Sequence, residues 1–467
     1  MQSRLDVVIL AAGLGTRMKS GLVKVLHRAA GRPLVDYVID LAQSVTPEPP
    51  ILIVGHQRDR VQQHCGDRAR YCIQDPQLGT GHAVLQAESL VREKGVEGAH
   101  VLVLSGDVPL TRPETLKELI DEHRRAGNAV TMLTMELDDP AHYGRIIRDE
   151  RGAVQQIVEA KDATEEQRRV GEVNGGIYVF DAAFLFDSLH RISSDNAQGE
   201  YYLTDLIAMA NRKGRSAGAI RAENPIELMG VNSRGELALV HRELVRRTVE
   251  RLMAEGVTFL DPALVSIDAE VTIGADTVVY PFVTIEGASR IGSGCTIEPQ
   301  THLVSVAIGD HVHVRTGTVA EETTIGEEAS VGPWAHLRPG TVLGARVKIG
   351  NFVETKKAVF GEGSKASHLS YIGDAEVGAD VNIGAGTITC NYDGVRKHKT
   401  IIEDGAFIGS DSQLVAPVTI GRGSYVGAGS TITRDVPPDS LALSRTPQKV
   451  HQDWAKRRRE EGETGKD

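Results

Sequence analysis

Aliphatic residues recur at every sixth position through much of the second half of the chain. A first series runs from Ile267 to Leu303 and, after a slip in phase, resumes at Ile308 and Val314. The residues that keep this spacing are Ile267, Ile273, Val279, Ile285, Ile291, Ile297 and Leu303; Ile308 and Val314; Ile325, Val331, Leu337, Leu343 and Ile349; and Ile402, Ile408, Leu414, Ile420, Val426 and Ile432. A period of six is wrong for an α-helix, and an ordinary sheet does not keep it for so long.

This spacing predicts a left-handed parallel β-helix over residues 257–450. In such a fold each side of a triangular coil contributes one inward aliphatic residue, and glycine helps the chain turn at the corners. Glycine numbers 49 in the chain, whereas aromatic residues make up only 4%, as a narrow core of small aliphatic residues requires. A β-sandwich would instead need hairpin turns about every 8–12 residues, and the sequence lacks them.

The first 230 residues follow a different pattern, in which short apolar runs alternate with helix-like stretches. This alternation predicts a Rossmann-like α/β domain with a mostly parallel sheet. Such a sheet carries its ligand at the carboxyl ends of its strands. The predicted strands are Val7–Ala11, Ile51–Val54, Val101–Leu104 and Val130–Met135, and the predicted helices include Pro33–Gln43, His82–Lys94 and Pro113–Ala126.

Residues 231–256 are predicted to form one connecting helix. Ser233 and Glu236 have the spacing of a capping box, and apolar residues then follow at helical intervals from Val240 to Leu252. Beyond the β-helix, residues 451–467 form a charged C-terminal tail, which we expect to lack regular structure.

Composition limits the classes of function. The 467 residues predict two or three domains, and the net charge of −11 argues against nucleic acid as a general partner. The four cysteines form no CxxC pair, so neither a zinc site nor a disulfide framework is indicated. No apolar stretch is long enough for a membrane helix or a signal peptide, so we expect a cytoplasmic protein.

Two motifs in the first domain point to phosphate chemistry. In "VILAAGLGTRMKSGLVK", Gly13 and Gly15 with the nearby Arg17 and Lys24 could surround phosphates with amides and cations, although a simple tight turn would use the same glycines. The stretch is neither a dinucleotide fingerprint nor a Walker loop. In "LSGDVPL", Asp107 follows an aliphatic strand, where it could bind Mg²⁺ or cap the next helix.

These motifs belong to a longer series that resembles sugar-1-phosphate nucleotidyltransferases. The segments "LAAGLGTRM…K", "QLGTGHA", "YGRI", "IVEAKDA", "VNGGIYVF" and "GVNSR" occur in that family's order. With a β-helix behind them, the chain resembles the bacterial bifunctional N-acetylglucosamine-1-phosphate uridyltransferase / glucosamine-1-phosphate N-acetyltransferase family from about residue 5 to 450. The resemblance implies synthesis of UDP-N-acetylglucosamine, a precursor of peptidoglycan and lipopolysaccharide, from glucosamine-1-phosphate, acetyl-coenzyme A and UTP.

The resemblance also implies roles for residues of the first domain. Uracil would be read by Gln74, Gly79 and Thr80, and Mg²⁺ would be held by Asp107 and Asn232. The nucleotide would be bordered by Leu10, Ala11, Ala12 and Gly13, its phosphates would meet Arg17 and Lys24, and the N-acetylglucosamine part would contact Gly144, Glu159 and Asn174. Asn174 could instead be a turn residue, and Glu159 a surface carboxylate. Two departures, Val23 for proline and Ser105 for tyrosine, remove no charged group.

The β-helix carries a second set of polar residues that are poor core residues. They are Arg338, Lys356, Lys357, His368, Tyr371, Asn382, Asn391 and Tyr392. We expect a loop from Ala358 to Ser367 to interrupt the repeat on a binding face. Acetyl transfer to an amine needs a base, and histidine has a suitable pKa near neutrality. His368 is the candidate because Arg338 and Lys356 could bind a sugar phosphate nearby.

The segment "SHLSYIGD" resembles the corresponding motif of the family, and this resemblance implies that His368 is the base. It implies that glucosamine-1-phosphate is held by Arg338, Lys356, Tyr371 and Asn382, and that acetyl-coenzyme A contacts Ala385, Asn391, Tyr392, Ser410, Ala428 and Arg445. It also implies a homotrimer whose sites lie between neighbouring chains. Ser367 replaces the family's glycine, with an effect that the sequence does not predict.

Two alternative functions use the same two domains. One is a nucleotidyltransferase with a single activity and a structural β-helix, which His368, Arg338 and Lys356 argue against. The other is a non-catalytic scaffold, which would be expected to lose Lys24 or Asp107, yet both are present.

Overall fold

The structure is a computed structural model that describes residues 3–463. Its chain forms two compact units, Met1–Arg247 and Thr248–Asp467, here called the N-terminal and C-terminal units. The boundary between them falls within helix Arg234–Ala254, which forms where the helical spacing predicted it. The capping residues also meet, because the Ser233 hydroxyl accepts from the Glu236 amide at 3.2 Å.

The N-terminal unit is built on a mixed sheet that is mostly parallel, as predicted. From edge to edge its main strands are Ala217–Arg221, Val130–Glu136, Glu172–Asp181, His100–Ser105, Leu5–Ala11, Ile51–Val54 and Arg70–Ile73. Only Glu172–Asp181 runs antiparallel to its neighbours along this path. A hairpin of Arg145–Arg148 and Val154–Val158 extends from this antiparallel strand, and a small separate pair joins Arg28–Ala29 to Arg32–Pro33.

Alternate residues of the central strand enter two different cores, one on each face of the sheet. Val7 and Ile9 pack in one core, and Val8 packs in the other. The helices of the first core are Leu34–Gln43, Arg58–Cys65 and Pro113–Ala126; those of the second are Thr80–Leu85, Glu88–Arg92, Ala182–Leu189 and Asp205–Arg212. The single helix predicted over His82–Lys94 is thus two short helices, separated near Gln86 and Ala87.

The C-terminal unit is the predicted left-handed parallel β-helix, with three ladders of short strands. Register shows the coil length directly: Ile267 pairs with Ile285, Ile285 pairs with Leu303, and Leu303 pairs with Ala320. Most coils therefore take 17 or 18 residues. The shorter coils explain the slip in phase after Leu303, because one side of the triangle loses a residue while the inward position is kept.

The first ladder of the C-terminal unit consists of Thr258–Phe259, Val278–Val279, Thr296–Ile297, His313–Val314, Ser330–Val331, Lys348–Asn351, Lys365–His368, Asn382–Ile383, Phe407–Ile408, Tyr425–Val426 and Leu441–Ala442. The second contains Ser266–Ile267, Thr284–Glu286, His302–Val304, Val319–Glu321, His336–Leu337, Ile388–Cys390, Gln413–Val415 and Thr431–Ile432. The third contains Thr272–Ile273, Arg290–Ile291, Ala307–Ile308, Thr324–Ile325, Val342–Leu343, Thr400–Ile402 and Val418–Ile420. Strands Glu354–Phe360 and Tyr371–Val377 run through both of these ladders.

The interruption of the repeat lies at a different place from the one predicted. Residues Ala358–Ser367 belong to regular coils, because strands Glu354–Phe360 and Lys365–His368 flank a single tight corner. The inserted loop is instead Asn391–Lys399, since Ile383 pairs with Ile408 across 25 positions. Glycine and charged residues at 361–365 suit an ordinary corner, and for this reason they misled the prediction.

The expectation of a tail without regular structure was wrong for its described part. Trp454–Glu463 is helical. The guanidinium of Arg458 lies 6.0 Å from the Trp454 ring and pairs with Glu461 at 3.5 Å, and these contacts one turn apart support the helix. Residues 464–467 of the predicted tail lie outside the described residues. Among the residues described, no helix combines the length and apolarity needed to cross a bilayer.

Candidate functional site

A cavity of about 500 Å³ opens in the N-terminal unit beyond the carboxyl ends of strands Leu5–Ala11 and His100–Ser105. This is the sheet edge at which an α/β fold binds its ligand. The cavity wall contains these residues expected from sequence: Leu10, Ala11, Ala12, Gly13, Arg17, Lys24, Gln74, Gly79, Thr80, Asp107 and Asn232. Residues far apart in the chain therefore meet around one space.

The two glycines of the first loop differ in what their surroundings require. A Cβ at Gly15, which has a φ of +61°, would lie 2.9 Å from the Cβ of Lys24. A Cβ at Gly13 would meet no atom within 4 Å. Gly15 is thus explained by packing and backbone conformation, whereas Gly13 leaves backbone open to whatever enters the cavity.

Lys24, Asp107 and Asn232 converge on one point of the cavity wall. The Lys24 ammonium forms an ion pair with the Asp107 carboxylate and donates to the Asn232 Oδ1 at 3.1 Å. The Lys24 and Asp107 side chains are only 16% and 15% exposed. A carboxylate oxygen and an amide oxygen that already share one cation are a donor set suited to Mg²⁺, which takes its other ligands from substrate and water.

The segment Gln74–Thr80 is held in shape by its own hydrogen bonds. The buried Gln74 amide donates to the Gly79 carbonyl at 2.9 Å, and the Thr80 hydroxyl accepts from the Leu203 amide at 3.1 Å. Gly79 has a φ of +102°, and a Cβ there would lie 2.7 Å from the Tyr201 carbonyl oxygen. Only glycine fits this position, so the shape of the segment depends on it.

Gly144, Glu159 and Asn174 form a second cluster that is not part of the described cavity wall. The Asn174 backbone N–H donates to the Gly144 carbonyl at 2.9 Å, and a Cβ on Gly144 would lie 3.5 Å from the Glu159 carboxylate. Burial raises the pKa of Glu159, against a hydrogen bond from Thr204 that lowers it. The structure thus brings these three residues together, and Glu159 is a half-buried carboxylate rather than a fully exposed one.

The loop before Gly144 and the strand after it hold residues that the sequence analysis did not assign. The Arg145 guanidinium, 4% exposed, donates to the carbonyls of Tyr143 and Ala141, the latter at 3.2 Å. The His142 and Tyr143 rings stack at 4.8 Å. Burial, and then the positive charge of the nearby Arg17, lower the pKa of His142. The only available signal was the arginine of "YGRI", whose buried role depends on loop geometry.

In the C-terminal unit, the second candidate site follows one column of the β-helix. Asn351 pairs with His368, and hydrogen bonds between coils align the next three members, Ala385, Ser410 and Ala428. The Arg445 guanidinium donates to the Ala428 carbonyl at 2.7 Å. Coils stack at about 4.8 Å, so His368 and Ala428 are roughly 14 Å apart along a strip of small side chains.

His368 is exposed and has one hydrogen-bond partner that the sequence analysis missed. Its Nδ1 lies 2.7 Å from the Asn351 Oδ1. Because an amide oxygen can only accept, this contact fits the tautomer with the proton on Nδ1 and the free lone pair on Nε2. Only coil register could reveal Asn351, because it lies 17 positions earlier in the chain.

Cations gather around Arg338 and Lys356, which occupy matching positions on successive coils of the second ladder. Arg338 pairs with Glu354 at 2.8 Å. Contact with Lys397, and then the charges of Lys397 and Arg338, lower the pKa of Lys356, as expected where like charges lie close together. Tyr371 and Asn382, also expected here, are both half-buried. Tyr371 lies in the strand that pairs with Glu354–Phe360, whereas Asn382 lies in the first ladder, in the strand that pairs with Lys365–His368.

Lys397 comes from the inserted loop, which is organised around Asp393. That carboxylate accepts from the amides of Val395 and Arg396 at 2.7 and 2.6 Å and pairs with His398 at 2.7 Å. At the base of the loop, the buried Asn391 donates to Asp374 at 2.5 Å. Tyr392 is exposed, with its hydroxyl donating to the Gly394 carbonyl at 2.6 Å. The loop therefore has a fixed shape that carries Lys397 to Lys356.

Comparison with protein families matches the chain in three segments. Residues 6–224 match the family described as Nucleotidyl transferase. Residues 262–359 match the GMPPB C-terminal domain, and residues 399–434 match the Bacterial transferase hexapeptide (six repeats). The first match covers the cavity, and the other two lie within the β-helix.

Curated relatives match over nearly the whole chain. A protein of Trichlorobacter lovleyi named Bifunctional protein GlmU is 52% identical over 97% of this chain and 99% of its own length. Proteins of the same name from Pelobacter propionicus and Syntrophotalea carbinolica are 52% and 54% identical, each over 96% of this chain and over 97% and 96% of their own lengths.

Proposed function

Because this chain belongs to the family of bifunctional GlmU proteins, we propose that it makes UDP-N-acetylglucosamine through the two sites described above. The chain is an N-acetyltransferase and a nucleotidyltransferase. It acetylates glucosamine-1-phosphate with acetyl-coenzyme A and then couples the product with UTP, releasing pyrophosphate. The observation that carries the assignment is that each compact unit holds its own set of converging polar groups.

In the nucleotidyl transfer, the sugar phosphate oxygen attacks the α-phosphorus of UTP in line. Such chemistry depends on positioning and charge neutralisation rather than on a nucleophilic side chain. Leu10 to Gly13 border the nucleotide, and the open face of Gly13 lets the substrate approach the backbone. Lys24 and the exposed Arg17 neutralise phosphate charge. The acceptor sugar is held by Gly144, Glu159 and Asn174.

Mg²⁺ is the proposed metal of this first site. Asp107 and Asn232 would hold it, and their convergence on Lys24 supports the fit. The metal supplies charge neutralisation and orientation of the phosphates. With the metal held there, Lys24 would be free to contact the substrate phosphates in place of Asp107 and Asn232. Uracil is read by Gln74, Gly79 and Thr80, whose segment is fixed by internal hydrogen bonds.

In the acetyl transfer, His368 acts as the base. Its Nε2 takes a proton from the amine of glucosamine-1-phosphate, the amine nitrogen attacks the thioester carbonyl carbon, and the coenzyme A thiolate leaves. The hydrogen bond to Asn351 holds the required tautomer. Arg338, Lys356 and the newly identified Lys397 bind the phosphate, and Tyr371 and Asn382 position the sugar.

Acetyl-coenzyme A lies along the column of small residues. Ala385, Ser410 and Ala428 leave room for an extended chain, and Arg445 stands at its far end. Asn391 and Tyr392 border the acetyl group. These assignments rest on the alignment of the column with His368.

The active C-terminal assembly is a homotrimer in this proposal. One corner of the β-helix exposes Trp334, Phe352 and Leu369 in successive coils, with 50%, 57% and 61% of each residue accessible. A contiguous exposed apolar ridge is unusual on a monomer and marks a protein contact. Because Leu369 adjoins His368, a neighbouring chain there would also enclose the base.

Four free cysteines are consistent with the proposed cytoplasmic location.

The direct test supplies pure protein with Mg²⁺, glucosamine-1-phosphate, acetyl-coenzyme A and UTP and then omits each component in turn. UDP-N-acetylglucosamine should form only when all are present. If product forms only from supplied N-acetylglucosamine-1-phosphate, the alternative of a single nucleotidyltransferase activity with a structural β-helix is correct. The His368–Asn351 pair, which a purely structural coil would not need, argues against that result.

A further inference from the structure

A second cavity, of about 470 Å³, lies directly beside the nucleotide cavity in the N-terminal unit. Its wall includes Gly55, His56 and Arg58, which follow strand Ile51–Val54. We call it the outer cavity. Three residues, Leu14, Gln74 and Gln77, line both spaces and therefore form the partition between them.

Gln77 is the polar member of this partition with no assigned role. Its side-chain amide donates to the Ala12 carbonyl at 2.9 Å, so it spans from the uracil-reading segment to the nucleotide loop. Leu14 is 56% exposed, and the amide of Gln74 is already bonded to Gly79. The Gln77 carboxamide is consequently the part of the partition that is tied to both sides.

Gly55 makes room for this arrangement. A Cβ at position 55 would lie 2.7 Å from the Gln77 Nε2 and 3.0 Å from the Ala12 carbonyl oxygen. The φ of Gly55 is not in the left-handed region, so backbone conformation does not demand glycine here. The absence of a side chain at Gly55 is explained by the space that the Gln77–Ala12 contact occupies.

We infer that Gln77 determines base specificity by closing the base end of the nucleotide cavity and excluding purine nucleotides. This inference rests on the proposed function, in which Gln74, Gly79 and Thr80 hold uracil at that end. A pyrimidine fits inside the partition, whereas the second ring of a purine would extend through it towards the outer cavity. Shortening Gln77 joins the two cavities and removes the obstruction.

The test compares wild type, Gln77→Ala and Gln77→Ser with UTP, GTP and ATP as nucleotide and N-acetylglucosamine-1-phosphate as acceptor. The ratio of kcat/KM for GTP or ATP to that for UTP should rise about ten-fold or more in both variants, the scale on which pocket size discriminates. Gly55→Ala should shift the ratio in the same direction, because its new Cβ displaces the flexible end of Gln77. Titration calorimetry with GTP detects a purine that binds without reacting.

Gln57→Ala is the matched control, because Gln57 lines the outer cavity but not the nucleotide cavity. It should leave the base preference unchanged. Acetyl transfer by the same chain reports on folding. If the shortened variants use UTP normally but neither bind nor use purines, the inference is wrong. It is equally wrong if they lose UTP without gaining purine binding, since Gln77 would then bind uracil. Failure of wild type with UTP would instead overturn the proposed function.

Discussion

The two candidate sites differ in how the fold brings their residues together. In the N-terminal unit, Lys24 meets Asp107 and Asn232 across 83 and 208 positions, and both charged side chains are about 15% exposed. In the β-helix, Arg338 and its partner Glu354 are only 16 positions apart, and their side chains are 36% and 41% exposed. One site is a cavity, and the other is an open surface.

This difference follows from the geometry of the two folds. Parallel strands of an open sheet all end at one edge, so residues after different strands converge and leave a crevice. A β-helix places residues of successive coils in columns on an outer face, and a column cannot enclose a ligand by itself. The first site should therefore be complete within one chain, whereas the second should need a neighbouring chain.

A large separation of the two activities should come from Asp107→Ala. This change removes the proposed charged ligand of Mg²⁺ and leaves Lys24 without its ion pair, so uridyl transfer should fall at least on the order of a hundred- to a thousand-fold. Acetyl transfer, measured as release of coenzyme A thiol, should stay within about two-fold of wild type. Asp107→Asn keeps the shape without the charge and should lose nearly as much. Equal loss of both activities in a folded protein would refute independent sites.

His368→Ala should produce the opposite separation. Loss of a general base costs roughly a hundred- to ten-thousand-fold, so acetyl transfer should fall by that factor while uridyl transfer is unchanged. The matched control is His302→Ala. It removes a different histidine of the β-helix, one whose partner is a glutamate. Full acetyl transfer by the His368 variant at neutral pH would show that another group is the base.

Leu369→Glu tests whether only the open site needs a neighbour. A charge on the exposed apolar corner should disfavour association, and we expect acetyl transfer to fall at least about ten-fold while uridyl transfer persists. Light scattering should show a smaller particle. Val395→Glu is a control at an exposed position in the inserted loop, outside this corner. A monomer that retains full acetyl transfer would contradict the need for a neighbouring chain.

Of these changes, Arg145→Lys should alter the ratio of the two activities least. Lysine keeps the charge but cannot span the carbonyls of residues 141 and 143, so the loop that carries His142 and Tyr143 should lose its fixed position. Uridyl transfer should drop several-fold to about ten-fold, and added guanidinium should restore part of the activity of Arg145→Ala. Arg151→Lys, on an exposed turn, should be neutral. Equal effects on acetyl transfer would indicate a general loss of folding instead.

The sequence predicted the architecture well because both folds have strong local periodicity. It did not predict the position of the inserted loop, because the corner at residues 361–365 and the loop Asn391–Lys399 are both polar and rich in turn residues. Only the pairing of Ile383 with Ile408 distinguishes them. Val23 shows the reverse case: its φ of −59° already has the value that proline fixes, so this departure leaves the backbone as proline would set it.

The site residues also divide into those that the sequence predicted and those that it missed. Motif order led to Lys24, Asp107 and His368, whose chemistry is visible in the residue type. The residues that it missed are recognised only by their contacts. Asn351 contacts a residue 17 positions away, Lys397 reaches Lys356 from the inserted loop, and Arg145 binds backbone carbonyls. Such contacts depend on coil register and loop conformation, which a single sequence does not specify.

The central claim is that two independent sites on one chain perform successive transfers, and mixing the two inactive variants tests it most directly. Asp107→Ala and His368→Ala, each alone, should form no UDP-N-acetylglucosamine from glucosamine-1-phosphate, acetyl-coenzyme A and UTP. The mixture should form it, because N-acetylglucosamine-1-phosphate made by the first variant diffuses to the second. A mixture that stays inactive, although each variant retains its one expected activity, would contradict transfer through a free intermediate. A variant that has lost both activities would contradict the independence of the sites.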